Sequence, residues 1–182
     1  MSVNTTFNKQ ISNRNFLSPI GFEFSLAEYP KVSFFCNSAK IPQISLQTVE
    51  QPNYLKRLDI PSDQLDYSDL TLRFLVDEEM VNYITIHNWL ISLGFPETAE
   101  QYANKLNEDG TRNPLNFFSD GTLIILNSNY IPKIQIKFKD LFPVSLTSLE
   151  FKSTDSDIQY FTAEVSFKYT VYNILNMQNK IL

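Results

Sequence analysis

Residues 160–172 read YFTAEVSFKYTVY. Phe161, Ala163, Val165, Phe167, Tyr169 and Val171 fall on one side of an extended chain, and Thr162, Glu164, Ser166, Lys168 and Thr170 on the other. Side chains alternate across a strand with period two, so this pattern predicts one unbroken half-buried strand over 161–171. Phe161, Val165 and Phe167 should face a core; Glu164, Ser166 and Lys168 should meet water. The turn before it, STDSDIQ, uses Asp and Ser chemistry in place of glycine.

Working outward, the same period recurs. IPKIQIKFKD (131–140) predicts a strand with Ile134, Ile136 and Phe138 inward and Lys133, Gln135, Lys137 and Lys139 outward. FPVSLTSLEF (142–151) reads as a separate strand, and GTLIILNS (121–128) as another. Phe22, Phe24 and Leu26 alternate with Glu23 and Ser25, and KVSFFCNSA (31–39) follows a Tyr29-Pro30 break, which predicts a hairpin over 21–37. Residues 43–76 are a longer excursion. Strand character at Ile44 and Leu46 and again at Leu70, Leu72, Phe74 and Val76 brackets a polar middle, the pattern of a projecting hairpin over about 46–74.

One helix stands out, EEMVNYITIHNWLISL (78–93). Asp77 is a good N-cap, Glu78 and Glu79 suit the first turn, and Gly94 with Pro96 marks the stop. Tyr83, Ile86, Trp89, Leu90 and Leu93 share the packing face, widened by Met80, Ile84 and Ile91; Thr85, Asn88 and Ser92 are polar. A weaker helix is expected near 97–107. The organisation is an N-terminal arm over 1–15 with Phe7 and Ile11, one domain over 16–175, and a tail over 176–182. The fold class is mainly β (α+β): an antiparallel β-sandwich or barrel with one flanking α-helix.

Composition narrows the chemistry. The 182 residues carry a net charge of −5 and only 4 glycines, against 15 Phe and 9 Tyr. There is no basic footprint for nucleic acid and no GxGxxG or GxxxxGK[ST] phosphate cradle. MSVNTTFNKQISNRN lacks the apolar core of a signal peptide, and no stretch approaches the roughly 18 apolar residues of a membrane span. His87 is the single histidine and falls inside the helix's apolar arc, so it reads as a structural imidazole at a helix–sheet or subunit boundary. Cys36, the single cysteine, lies in a strand pattern and reads as a small hydrophobe. Asp59, Asp63, Asp66 and Asp69 lack the glycine turn of a calcium loop and read as a solvated face. No catalytic, cofactor or metal residues are assigned.

Several short motifs occur in a telling order. Phe34-Phe35-Cys36 precedes Ala39-Lys40-Ile41-Pro42; Asp77-Glu78 precedes the helix bearing Trp89; and Leu141-Phe142-Pro143 precedes the turn Asp157-Ile158-Gln159-Tyr160 and the final strand. Over about residues 16–173 this resembles the tail tube proteins of contractile-tailed bacteriophages. The resemblance implies a ring-forming structural protein of the virion tail: a homo-hexamer whose rings stack into the inner tube that conducts DNA during ejection without binding it specifically. The same design is found in type VI secretion tube proteins. Sheath and baseplate proteins are the implied partners, with assembly in the bacterial host cytoplasm and no membrane insertion. The NYITIHNW form of the helix is more like the baseplate tube-initiator ring, whereas the compact length is more like the repeating subunit. A small-molecule-binding β-barrel outside phages is the remaining reading. The hairpin tip, Tyr54, Leu55, Lys56, Arg57, Leu58, Asp59 and Ile60, is implied to reach the adjacent ring.

Overall fold

The computed structural model describes residues 16–29, 36–94, 117–152 and 160–182. The arm over 1–15, the strand residues 31–35, the weak helix near 97–107 and the turn 153–159 lie outside the described residues. In chain order the elements are β1 (Phe22–Leu26), β2 (Cys36–Lys40), β3 (Ile44–Gln51), β4 (Leu58–Tyr67), β5 (Leu70–Leu75), α1 (Val81–Gly94), β6 (Ser119–Leu126), β7 (Pro132–Leu146), β8 (Thr162–Lys168) and β9 (Val171–Asn176). Seven strands form one antiparallel network in the order β1-β6-β7-β8-β5-β2, with β9 added to β7; β3 and β4 form a separate two-stranded sheet.

The 15-residue strand β7 is the spine. The two strands expected over 131–140 and 142–151 are one. Its first part pairs with β6 on one side and β9 on the other, and its last part pairs with β8. The predicted unbroken strand 161–171 is correspondingly two strands, β8 and β9, interrupted at Tyr169-Thr170. Lys139 pairs with Val171 and Phe142 with Lys168, so a step of three along β7 is matched by a step of three back. No residue is gained or lost: the ladder bends as a unit. On β7 the bend falls at Asp140, with φ 56°, a conformation that Asp tolerates better than most residues. Its N–H is held by Asp120 Oδ1 at 3.3 Å, and Thr170 N–H is held by Lys139 O at 3.0 Å. A β-bulge follows at Pro143–Ser145, where a residue without an N–H can be accommodated.

Bending the spine wraps the two halves around one core. Phe24 and Leu26 of β1, Leu72 and Phe74 of β5, Ile136, Phe138 and Leu141 of β7, and Val165 and Phe167 of β8 all belong to it. Burying each such side chain contributes about 1.5–3 kcal/mol before entropy is counted. Val165 and Phe167 therefore lie where the alternation puts them. Phe161 does not: it is 37% exposed. It stands one residue before β8 begins, beyond the partner strands that cover Ala163 and Val165.

Among the described residues the hairpin expected over 21–37 shows no pairing of its two strands, and its residues 30–35 lie outside them. β1 pairs with β6, and β2 with β5. β6 suits β1 because Gly121 stands opposite Leu26, and a Cβ there would run into Leu141 Cδ1 and the Phe24 ring. Only glycine lets β1 and β7 close over that point.

The helix starts later than Asp77. Met80 N–H bonds to Asp77 O at 3.0 Å, Met80 takes φ 55°, and its carbonyl accepts the first helical bond from Ile84 at 2.8 Å. α1 thus begins at Val81 with no acid in its first turn. The reason is Asn82, which is buried. Its amide donates to Leu75 O at 2.7 Å while its Oδ1 accepts the Tyr83 N–H at 2.8 Å, tying the end of β5 to the start of the helix. Ile86 and Trp89 are buried, and Tyr83, Leu90 and Leu93 pack beside them. His87 is exposed, outside the helix–sheet boundary. With the buried strip centred on Asn82, Ile86 and Trp89, residue 87 is rotated about 130° away from its centre.

Trp89 locks helix to sheet. Its ring lies 4.8 Å from Tyr29 and 6.0 Å from Phe167 between centroids, and its Nε1–H donates to Phe117 O at 3.3 Å. Trp89→Ala should destabilise the subunit by about 3–5 kcal/mol, read as a lower denaturant midpoint at an unchanged slope. His87→Gln should change that midpoint by less than about 0.5 kcal/mol, as expected at an exposed position.

Candidate assembly surface

The described residues offer little for catalysis. They hold no group of His, Cys, Asp and Glu arranged to bind a metal ion. Burial pushes the Cys36 thiol up to about 11, the opposite of an activated nucleophile. Asp59, Asp63, Asp66 and Asp69 are exposed. None of the described helices is long and apolar enough to cross a membrane.

What the fold does present is the β3–β4 hairpin. Its strands span Ile44–Gln51 and Leu58–Tyr67, shorter than the expected 46–74 at the far end because β5 returns to the main network. Near its base Ile44 pairs with Tyr67 and Leu46 with Leu65; past a bulge Val49 pairs with Ile60 and Gln51 with Leu58. Apart from the partly covered Ser62 and Tyr67, every residue of both strands is exposed. At the tip Tyr54 is 98% and Leu55 90% exposed, beside the equally open Lys56 and Arg57. Asp59 stands opposite Glu50, a like-charge pair that costs stability, and Arg57 Nη1 relieves it by bonding Glu50 Oε2 at 3.0 Å. That ion pair is solvent-exposed and contributes at most about 1 kcal/mol. A lone two-stranded hairpin is marginal in water, so its apolar groups point to burial elsewhere.

The base, by contrast, is firmly fixed. Gln43 N–H donates to Ser68 Oγ at 2.7 Å, and Ser68 N–H to Gln43 O at 3.0 Å. Tyr169 OH donates to Ser68 O at 2.9 Å and Tyr172 OH to Pro42 O at 3.3 Å. The Tyr67 ring meets both tyrosines edge-on, at 6.1 and 5.8 Å, and Phe138 lies below them at 5.2 and 5.5 Å. Tyr169 and Tyr172 flank the bend of the ladder, so that bend is what carries the hairpin. Burial, then the neighbouring Tyr172, Tyr67 and Asp69, pushes the Tyr169 phenol up to about 12. Burial and Tyr67 also raise Tyr172.

Other surfaces add to this one. The helix shows a second stripe, Ile84 with His87, turned away from the core. Beside β5 and the turn into α1, Leu75, Val76, Met80, Leu149, Phe151, Tyr160 and Phe161 line an open groove of about 780 Å³. Two polar residues escaped the pattern reading. Asn82 was hidden inside an apolar arc, and Gln135, expected outside, is buried under residues 176–179.

Comparison with known proteins places this architecture. A family model described as phage tail tube protein matches residues 2–175. The tail tube terminator protein of Enterobacteria phage T4 is 27% identical over 141 residues, covering 75% of this chain and 74% of the relative. Among solved structures, the tube terminating cap of the anti-feeding prophage aligns over 97% of this chain and 99% of its own, with TM-score 0.64 and 15% identity. A chain of the PVC sheath–tube complex, an extracellular contractile injection system in its extended state, aligns over 93% of this chain and 97% of its own, with TM-score 0.58 and 18% identity. At such identities the structural likeness establishes the fold.

The tyrosine base makes a pH prediction. A phenol raised from about 10 to about 12 stabilises the folded state while protonated. That contribution is complete below about 10 and is lost as pH rises through about 12. Tyrosinate absorbance should therefore show a late-titrating component that Tyr169→Phe removes. The same substitution should lower stability by about 1 kcal/mol near neutral pH through the lost bond to Ser68.

Proposed function

This chain belongs to the phage tail tube protein family, and from that premise we propose that it is a structural ring subunit seated at the end of the tail tube. The observation carrying the terminal position is the 27% identity to a tail tube terminator over three quarters of both chains. In this reading six copies close a ring, the ring stacks on the last ring of the tube, and sheath or baseplate proteins meet its outer face. DNA passes through the lumen without specific binding, which suits a chain of net charge −5. Its place is the virion tail, after assembly in the host cytoplasm.

The hairpin supports a stacking role. Tyr54, Leu55, Leu58 and Ile60 supply apolar area, while Lys56, Arg57 and Asp59 supply charges that set register against a neighbouring ring. Fixing the base to the tyrosine cluster while leaving the tip bare aims that area outward. Ile84 and His87 on the helix provide a second face for a neighbour within the ring. Open strand edges that are satisfied only when copies adjoin are the usual economy of such rings.

Electron microscopy of the purified chain tests the position. A terminator gives discrete rings of uniform size that do not lengthen with concentration. Long tubes assign it to the repeating subunit instead, and monomers at every concentration exclude ring assembly. Replacing Pro52–Arg57 with an Asn-Gly turn should keep the fold, because that dipeptide closes a two-residue hairpin well. It should leave rings intact while abolishing their attachment to one another or to tubes. Normal attachment by this variant removes the hairpin from the stacking role.

A further inference from the structure

The segment just past the family match is more firmly built than an overhang requires. Asn176 organises it. Its Oδ1 accepts the N–H groups of Gln178 at 3.0 Å and Lys180 at 2.9 Å; its carbonyl accepts that of Asn179 at 3.0 Å; and its own N–H donates to Lys180 O at 2.9 Å. Asn179 takes φ 61°, a left-handed conformation that Asn tolerates. Its Oδ1 accepts from Gln135 Nε2 and Lys137 Nζ, both at 2.8 Å, and Gln135 Nε2 also reaches Asn176 O at 2.8 Å. Gln135 is thereby only 7% exposed.

The turn sends the following residues back along β9. Ile181 sits antiparallel to Leu175, and Leu182 N–H donates to Ile174 O at 3.2 Å. On its other side β9 is paired with β7. The returning residues therefore occupy the outer edge of β9 over Ile174–Asn176. Left uncovered, an edge of this kind is a template for another chain, and Ile174, 42% exposed, adds an apolar side chain to it. In a protein whose copies are brought together, the nearest available strand belongs to a second copy.

We propose that residues 177–182 are an edge guard: they fill the pairing positions of β9 over Ile174–Asn176 and so prevent that part of the edge from adding a strand of a second copy. The guard rests on the proposal that copies of this chain come together; it concerns one strand edge, and it leaves β2 and the last part of β7, whose pairing partners among the described residues lie on one side, for ordered contacts. The guard also hides the amide of Gln135, so the spine of the fold and the protected edge are satisfied by the same turn.

Sedimentation velocity tests this on three variants of the 182-residue chain over a dilution series. The first lacks residues 177–182. The second is Asn179→Val, which removes the Oδ1 that accepts from Lys137 and is one of two acceptors of Gln135, and disfavours the left-handed turn without altering a β9 residue. Both should add a species at about twice the mass of the wild-type particle, since two identical edges pair isologously. The third is the shortened chain carrying Ile174→Lys, which places a charge on the edge and should restore the wild-type distribution. Unchanged mass in a folded Asn179→Val protein overturns the proposal. So does association of the shortened chain that Ile174→Lys fails to reverse, because the contact then lies elsewhere.

Discussion

The structure depends on one bent hydrogen-bond ladder. β7 runs for 15 residues, and β8 and β9 run back along it in a single register across the bend. Had the pairing slipped by one residue at the bend, every side chain beyond it would have changed face. Because it does not slip until the bulge after Pro143, Phe167 on one arm and Ile136 and Phe138 on the other point into one core. The bend also delivers Tyr169 and Tyr172 to the base of the hairpin, so the internal skeleton and the most exposed feature share an origin. The left-handed Asp140, the Asp120 bond to it and the bulge after Pro143 are local devices that let a long ladder turn without breaking.

Much of this was legible. Alternation in YFTAEVSFKYTVY and IQIKF marks β8, β9 and the first part of β7, and the apolar face with Trp89 marks the helix packed on the core. The family resemblance carried by Ala39-Lys40-Ile41-Pro42 and Leu141-Phe142-Pro143 agrees with the family match. The bend was not legible, because Tyr169 and Val171 continue the alternation through it; a periodicity of two reports faces and is silent on direction. Pairing partners were equally hidden. Phe22–Leu26 and the strand at Cys36 are neighbours in sequence, yet Gly121 makes β6 the better partner for the first. The sequence pattern also treats polar residues as outward. Asn82 and Gln135 break that rule because each finds hydrogen-bond partners inside, Leu75 O for one and Asn176 O with Asn179 Oδ1 for the other. His87 departs from the helix–sheet half of its reading, since an apolar neighbourhood on a wheel does not make the sheet cover it.

A subunit that functions alone rarely leaves Tyr54, Leu55, Val49 and Ile60 open on a lone hairpin, because solvating them gains nothing and ordering them costs entropy. A subunit that functions in a ring recovers that cost at each neighbour. The same logic makes uncontrolled edges hazardous, which is where the turn at Asn176–Asn179 acts: the chain offers some edges and closes another. Family membership and the likeness to a tube terminator fit a protein whose specificity lies in which surfaces are left unfinished.

Hydrogen exchange compared between the isolated subunit and its assembled form tests this account most directly. The amides of β7 and β8 should be protected in both states, while those of β3 and β4 should exchange rapidly in the isolated subunit and slow markedly on assembly. A hairpin already as protected in the isolated subunit as β7, or one still open after assembly, would contradict the claim that it is completed by a neighbouring ring.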